Sequence, residues 1–296
     1  MSKRAQRRAA ERQARKERPE RPRRTDLWIA AGLTLLAWVH RLVFLRSNRD
    51  FAWPYTFFYE GDSETFYSYA RALLEGGLYD EGVPFHPPGF AWFLAFVHSF
   101  LGAGEAGARV PHVAVKSVIA LLGSVAIGLL YLLVRPYLGR TVALIAALLG
   151  VYHFGLYVLS IAPVTESLYL VLLLLALLIW TRRFEHPLSA DAGAGLAPAR
   201  EGINPSPTWS LGLGLLLGML ALTRAEAVLV AVLLIAIGLL GVRKRPWALV
   251  ALGWVLIVTP WSIRNAIRLD AVNEKYAADL PTFVPLTLYG PINLAL

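Results

Sequence analysis

The side chains able to do chemistry in this sequence carry oxygen, imidazole or guanidinium groups, because it has no cysteine. Disulfides, thiolate metal sites and a cysteine nucleophile are therefore excluded. An early acidic stretch holds Asp62, Glu64 and His86. Hard carboxylate oxygens beside an imidazole suit Mg²⁺ or Mn²⁺, so these three are candidate ligands of a divalent cation. The expectation depends on the backbone: on an extended segment Asp62 and Glu64 point the same way, and on a helix they diverge. Two solvated loop acids are the plain alternative. Glu166 is a second isolated carboxylate, set where an apolar run begins just after Pro163. An ionisable group in a membrane segment costs about 2.5–3.5 kcal/mol at mid-depth and less near the surface, so Glu166 is expected to face a cavity. Arg264, Arg224, Arg268 and Arg71 are candidate phosphate ligands, since guanidinium meets phosphate oxygens through two N–H groups and stays charged near lipid. Against this stand headgroup anchoring for Arg264 and Arg268, and an internal pair with Glu226 for Arg224. Arg41, His40 and Lys116 fall inside or near apolar runs and are expected to face the bundle in structural roles.

The elements that hold these groups must live in lipid. The 296 residues are 56% hydrophobic and 17% charged, with a mean hydropathy of +0.52, whereas soluble domains carry about 25% charged residues. A helix crossing about 30 Å of hydrocarbon needs about 20 mostly apolar residues. That ruler finds seven windows: 27–45, 110–134, 142–160, 163–181, 209–222, 225–242 and 247–263. The fifth is short. Pro163 divides what would otherwise be one overlong run into an antiparallel pair. The fold class is an all-α membrane protein, a multispanning helical bundle of about seven transmembrane helices with a long first extracytoplasmic loop carrying interfacial helices.

Charge sets the expected orientation. Residues 1–26 hold eleven Lys or Arg and four acids, a net of +7 out of the whole chain's +9. Almost nothing large and apolar precedes Leu27, so this stretch is expected to be a disordered basic tail held in the cytoplasm by anionic headgroups rather than a nucleic-acid arm. A secretory signal fits it poorly, because the apolar stretch behind it is long enough to span and no small-residue cleavage pattern follows. Nineteen Lys and Arg fall in the tail and the loops on its side, far more than opposite. The expected organisation is a tail over 1–26, a bundle over 27–263 that includes the extracytoplasmic loop 46–108, and an extracytoplasmic segment over 264–296. The linker 182–208 is rich in Ala, Gly and Pro. The loop 46–108 holds eight acids and three bases, a net of −5, and is too long for a plain connection. Within it, Ser63 to Glu75 reads as an amphipathic helix ended by Gly76-Gly77, with Phe66, Tyr69, Ala70, Leu73 and Leu74 on one face. Pro87-Pro88-Gly89 then breaks the chain before an apolar run from Phe90 to Leu101, too short to span comfortably and expected to lie along the interface. Trp28, Trp53, Trp92, Trp209, Trp247 and Trp261 read as an interfacial belt.

Taken in order, Gly61-Asp62-Ser63-Glu64, Tyr67, Tyr69-Ala70-Arg71, Leu73-Leu74, Gly77 and His86-Pro87-Pro88-Gly89 resemble the first outer loop of the GT-C glycosyltransferases, in particular the dolichyl-phosphate-mannose protein mannosyltransferase type. Thr165-Glu166-Ser167, Leu222-Thr223-Arg224-Ala225-Glu226 and Pro260-Trp261-Ser262-Ile263-Arg264-Asn265 continue the resemblance toward the C-terminus. It implies transfer of a sugar from a polyprenyl-phosphate donor to an acceptor, which is a protein, lipid or glycan, on the extracytoplasmic face, with inversion at the anomeric carbon. The setting implied is a cell membrane, by preference a bacterial plasma membrane and its envelope. No G-x-G-x-x-G follows a strand, in keeping with the absence of a Rossmann-type nucleotide site. Inverting transfer needs a base, and Asp62 at the head of a helix is the expected one, with Glu166 in support. The leaving phosphate needs cations, with Arg264 first, then Arg224, Arg268 and Arg71. Relatives are longer, so the stop after Tyr289-Gly290-Pro291-Ile292-Asn293-Leu294 is expected to mark a fragment or a minimal member. The alternatives are a lipid or solute transporter, against which the lack of an internal repeat counts, and a truncated chain that only binds lipid or a partner.

Overall fold

The computed structural model describes residues 23–47, 62–77, 80, 83–101, 112–184, 205–240, 244–276, 280–281 and 284–287. Among the described residues the regular structure is all helix: α1 (Arg24–Ser47), α2 (Asp62–Leu74), α3 (Gly89–Phe100), α4 (His112–Tyr152), α5 (Phe154–Leu159), α6 (Glu166–Arg183), α7 (Pro207–Thr223), α8 (Ala227–Leu240) and α9 (Lys244–Tyr276). Lipid offers backbone groups no hydrogen bonds, so apolar runs of this length satisfy their own as helices. Large apolar side chains stay uncovered along α1, including Leu35, Leu36, Val39 and Val43, and along α8. That face suits hydrocarbon and not water. Three stretches, Arg24–Ser47, Val113–Tyr152 and Arg245–Tyr276, are long and apolar enough to cross a membrane, while α3, α7 and α8 are apolar but shorter. Helix occupies the core of all seven expected windows, yet length and hydropathy support three crossings among the described residues and do not fix the number at seven.

The expected pair of spans at 110–134 and 142–160 comes out as one element with a reversal inside it. A straight helix of 41 residues would run about 60 Å, twice the hydrocarbon thickness. At Gly139 the backbone takes φ 81°, ψ 172°, a conformation open to glycine because it has no Cβ. The two halves then pack together. Ile127 and Tyr131 from the first share a core with Ala143, Ala147 and Val151 from the second, and Ala30, Leu33 and Ala37 of α1 close it. The second half ends at Tyr152, and His153 caps the short α5 by accepting from the Leu156 N–H at 3.2 Å.

Small residues set the other principal contact. Ser210, Gly214 and Gly218 repeat every four positions on α7, so they line one face. A Cβ on Gly214 would sit 2.1 Å from the Val250 carbonyl oxygen, one on Gly218 2.6 Å from Ile257, and one on Gly253 2.6 Å from the Leu211 oxygen. The backbones of α7 and α9 therefore touch, the arrangement small residues permit in lipid. Around this pair, α6 joins α7 to α4, α1 packs on α4, and α8 leans on both α7 and α9.

At one end of the bundle a buried ion cluster ties α1 to α4. Asp26 has no exposed surface. It pairs with Arg135 at 3.1 Å and Arg140 at 3.2 Å and accepts from the Tyr131 hydroxyl at 3.1 Å. Arg24 to Asp26, the last residues of the expected tail, are thus the first turn of α1, whereas residues 1–22 lie outside the described residues. Arg183 stacks on Trp209 at 4.4 Å at the same end, where α6 finishes and α7 begins.

Candidate functional site

The opposite end collects the sequence's candidate acids and arginines. The helix α2 forms as the pattern requires, with Asp62 and Glu64 in its first turn, where helix dipoles favour acids. It ends where Gly76 adopts φ 71°. Phe66 and Ala70 are buried against Phe90 and Leu94 of α3, with Leu73, Leu74 and Tyr67 around them. The helix α3 does more than rest on an interface. Phe90, Ala91 and Leu94 are fully buried, while Trp92, Phe96 and Phe100 are exposed. Its start is pressed onto α7, since a Cβ on Gly89 would lie 2.7 Å from the Leu222 carbonyl oxygen and 2.9 Å from the Thr223 hydroxyl. The His86-Pro87-Pro88-Gly89 turn therefore abuts the residue pair that precedes Arg224.

Three charged groupings hang on this frame. In the first, His86 Nε2 lies 3.5 Å from Asp62 Oδ1, with the Asp62 side chain 66% exposed and the His86 side chain 10% exposed. Phe66 and Phe85 flank the imidazole at centroid distances of 4.9 and 4.7 Å. Burial pushes the His86 pKa below the usual histidine value, and the Asp62 carboxylate restores only part of it. Burial thus favours the neutral ring. In the second, Arg224 Nη1 donates to Glu166 Oε1 at 2.9 Å and Nη2 lies 3.5 Å from Glu226 Oε1. The guanidinium also sits 5.8 Å from the centre of the Tyr169 ring. Burial works to raise the Glu226 pKa, but its own backbone N–H and Arg224 outweigh that and hold it below the ordinary range. In the third, Arg264 grips Asp80 through both terminal nitrogens, Nη1 to Oδ2 at 2.9 Å and Nη2 to Oδ1. It also lies 4.7 Å over the Trp261 ring.

Backbone contacts join the three. Thr287 donates to the Phe85 carbonyl at 2.6 Å, next to His86, and Trp261 Nε1 donates to the Leu286 carbonyl at 2.8 Å. Trp261 is thereby a core residue and not part of an interfacial belt; Trp53 lies outside the described residues. Leu168, from the first turn of α6, packs on the same cluster as Phe66 and Phe90. Asp62, His86, Glu166, Arg224 and Arg264 thus share one end of the molecule. Two candidates stand at its edge. Arg71 is spent on Glu75 at 2.7 Å, with both side chains more than half exposed, and Arg268 is exposed one turn beyond Arg264.

The proposed metal triad does not assemble. Asp62 and Glu64 lie on a helix, not an extended segment, so their side chains diverge, and among the described residues no group of three His, Cys, Asp or Glu side chains could hold a metal ion. Among the described residues Asp62 and His86 remain as a pair, fewer donors than Mg²⁺ or Mn²⁺ coordination takes. Sequence reasoning also missed Asp80, counted only in the charge of the loop. Its partner is 184 positions away, and no local spacing signals that.

Two apolar clefts flank this end. One, of about 120 Å³, runs between α4, α5 and α6, with Glu166, Ser160 and Ser167 at its polar part and Ala126, Leu156 and Leu170 among its walls. The other, of about 430 Å³, follows α9 past Trp254, Val258, Thr259 and Ser262 to Ile267, with Pro285 opposite. A family model described as dolichyl-phosphate-mannose-protein mannosyltransferase matches residues 85–263. The chain belongs to that family. The matched stretch begins one residue before His86 and holds Glu166 and Arg224, while Asp62, Glu64 and Arg71 precede it and Arg264 and Arg268 follow. No curated protein and no solved structure gives a match. Membership of the mannosyltransferase family, together with the apolar helices, makes the chain a membrane glycosyltransferase of the GT-C type.

Proposed function

We propose that the chain moves a sugar from a polyprenyl-phosphate donor to an acceptor on the extracytoplasmic face, inverting the anomeric carbon, with Asp62 as the base. The observation that supports this best is the gathering of an accessible carboxylate and several arginines at one end of the bundle, away from the Asp26 cluster. In this reading Asp62 takes the proton of the acceptor hydroxyl as its oxygen attacks the anomeric carbon. The bond from that carbon to the phosphate oxygen breaks, and its electron pair leaves with the lipid phosphate. A protonated imidazole would weaken the base, so the burial that favours neutral His86 helps preserve the basicity of Asp62. Glu166 holds Arg224 in place, Asp80 holds Arg264, and the two guanidinium groups flank the phosphate, with Arg268 and Arg71 at its rim. No step runs through a metal ion.

The test is transfer from a polyprenyl-phosphate sugar in proteoliposomes, with the product's anomeric configuration read by NMR. Asp62→Asn is expected to lower the rate by roughly 10²–10⁴-fold with the fold intact, the usual worth of a positioned base. A wild-type rate in that variant removes Asp62 from the role. Because the sequence has no cysteine, single cysteines introduced at Ser68 and Thr208 report the sidedness: an impermeant maleimide added to intact cells should reach the first and not the second.

A further inference from the structure

Of the arginines at the site end, Arg71, Arg224 and Arg264 each hold a carboxylate. Arg41 on α1 is different. It has no exposed surface and is among the largest fully buried side chains. Its Nε donates to the Ser160 hydroxyl and its Nη1 to the Ala37 carbonyl at 3.1 Å. Its Nη2 is buried and has no hydrogen-bond partner. A guanidinium is never deprotonated in a protein, and leaving one of its N–H groups unmet in a low-dielectric interior carries a penalty of several-fold in stability. Such a group in a membrane bundle calls for a ligand.

The surroundings indicate which kind. Ser160, which fixes Arg41, also lines the 120 Å³ crevice, whose polar part includes Glu166 and whose walls are otherwise apolar. The irregular turn from Ser160 to Thr165 joins the two and leads directly into Glu166. Gly123 of α4 lies against this turn, where a Cβ would come within 2.2 Å of the Ser160 Cβ. Arg41 is six positions from the end of α1, about 9 Å along the axis, on the side of the molecule away from Asp26. A buried cation with an unmet N–H, tied through Ser160 to an apolar crevice, matches an anionic head on a hydrocarbon chain.

We propose that Arg41 is a ligand of the lipid phosphate, through Nη2, with the isoprenoid chain entering the crevice between α4, α5 and α6. The assignment rests on the donor class of the preceding subsection and adds a residue that belongs to none of its candidate cations. Arg224 and Arg264 then act mainly through their carboxylates, and Arg41 supplies the charge that the phosphate itself contacts.

The probe is farnesyl phosphate, with farnesol, inorganic phosphate and phosphatidylglycerol as separate arms, read as binding and as thermal shift of the full chain in detergent or nanodiscs. Wild type is expected to bind farnesyl phosphate and to bind farnesol at least tenfold more weakly. Arg41→Met should weaken farnesyl phosphate about ten- to hundredfold, the worth of a hydrogen bond to a charged group, and leave farnesol unchanged. Arg41→Lys should lose less. If Arg41→Met does not fold, the Lys variant decides, because it keeps the charge and loses the planar fork. Unchanged farnesyl phosphate binding in whichever variant folds overturns the assignment and leaves the donor reading standing. Failure of wild type to bind farnesyl phosphate at all overturns both. Dependence of phosphatidylglycerol or inorganic phosphate binding on Arg41, with farnesyl phosphate indifferent to it, overturns the assignment in favour of a bulk headgroup or a free-anion site.

Discussion

The ion pair between Asp80 and Arg264 gives a prediction whose size and order follow from the structure. The Asp80 side chain is fully buried and the Arg264 side chain 23% exposed. Removing one partner of a buried pair strands the other, at about 3–5 kcal/mol. The two removals are not equivalent here. Arg264 keeps a second acceptor in Asn265 Oδ1 at 3.2 Å and the face of Trp261, and it reaches some solvent, so Asp80→Asn should cost about 2–3 kcal/mol, below the usual range. Arg264→Gln replaces the guanidinium facing the buried carboxylate with a neutral amide and should cost about 3–5 kcal/mol. At about 2–4 °C per kcal/mol for chains of this size, these are losses of roughly 4–12 °C and 6–20 °C in Tm. The double variant should fall short of the sum by at least about 1 kcal/mol, as contacting residues do. Thermal unfolding in one detergent, monitored by circular dichroism and repeated over scan rates, supplies all four corners of the cycle. Strict additivity, or a larger loss for Asp80→Asn than for Arg264→Gln, would refute the claim that this bidentate contact pins the Asp80 segment to α9.

Three further outcomes are expected. Asp26→Asn should lose about 3 kcal/mol, the lower end for a buried pair, whereas Arg140→Gln, whose guanidinium is half open to solvent, should lose much less; equal losses would mean that Asp26 is solvated. The buried His86 has a depressed pKa, so its contribution to stability is fully present above the unfolded value near 6.5 and is lost as pH falls through the folded value; His98, shifted down by burial on the neighbouring α3, acts with the same sign. His86→Gln should therefore reduce the fall in Tm on acidification below pH 6.5 and His86→Gln/His98→Gln should reduce it further, while an unaltered profile in both would exclude these rings. On α7, Gly214→Ala places a methyl 2.1 Å from the Val250 oxygen and should destabilise by about 1–3 kcal/mol, but Gly212→Ala meets nothing within 4 Å and should stabilise by about 0.5–1 kcal/mol. Loss of stability in both would count against the close approach of α7 and α9.

Much of the local architecture is written in local pattern. Windows of about twenty apolar residues set the helices, and the spacing of Phe66, Ala70 and Leu73 set the buried face of α2, because both signals depend on neighbours within a turn or two. Helix extent was less legible: α9 continues to Tyr276, beyond the apolar window, because polar residues such as Arg268 and Asn273 extend a helix once it leaves lipid. The site divides along the same line. The sequence marked Asp62, His86, Glu166, Arg224 and Arg264 as chemically able, and the pairing of Arg71 with Glu75 was readable as an i, i+4 contact.

By itself, then, the sequence determined the solvent, the secondary structure and the list of groups competent for chemistry. Only the tertiary structure decided which groups meet: Arg264 with Asp80, Arg224 with Glu166 across 58 positions, and Arg41 with Ser160 across 119. It also decided that Asp62 and Glu64 part company on α2. The reason lies in lipid. A helix that is apolar on every side carries no amphipathic stripe to say which face turns inward, and helix pairing there depends on small residues and polar contacts whose partners are distant in the chain.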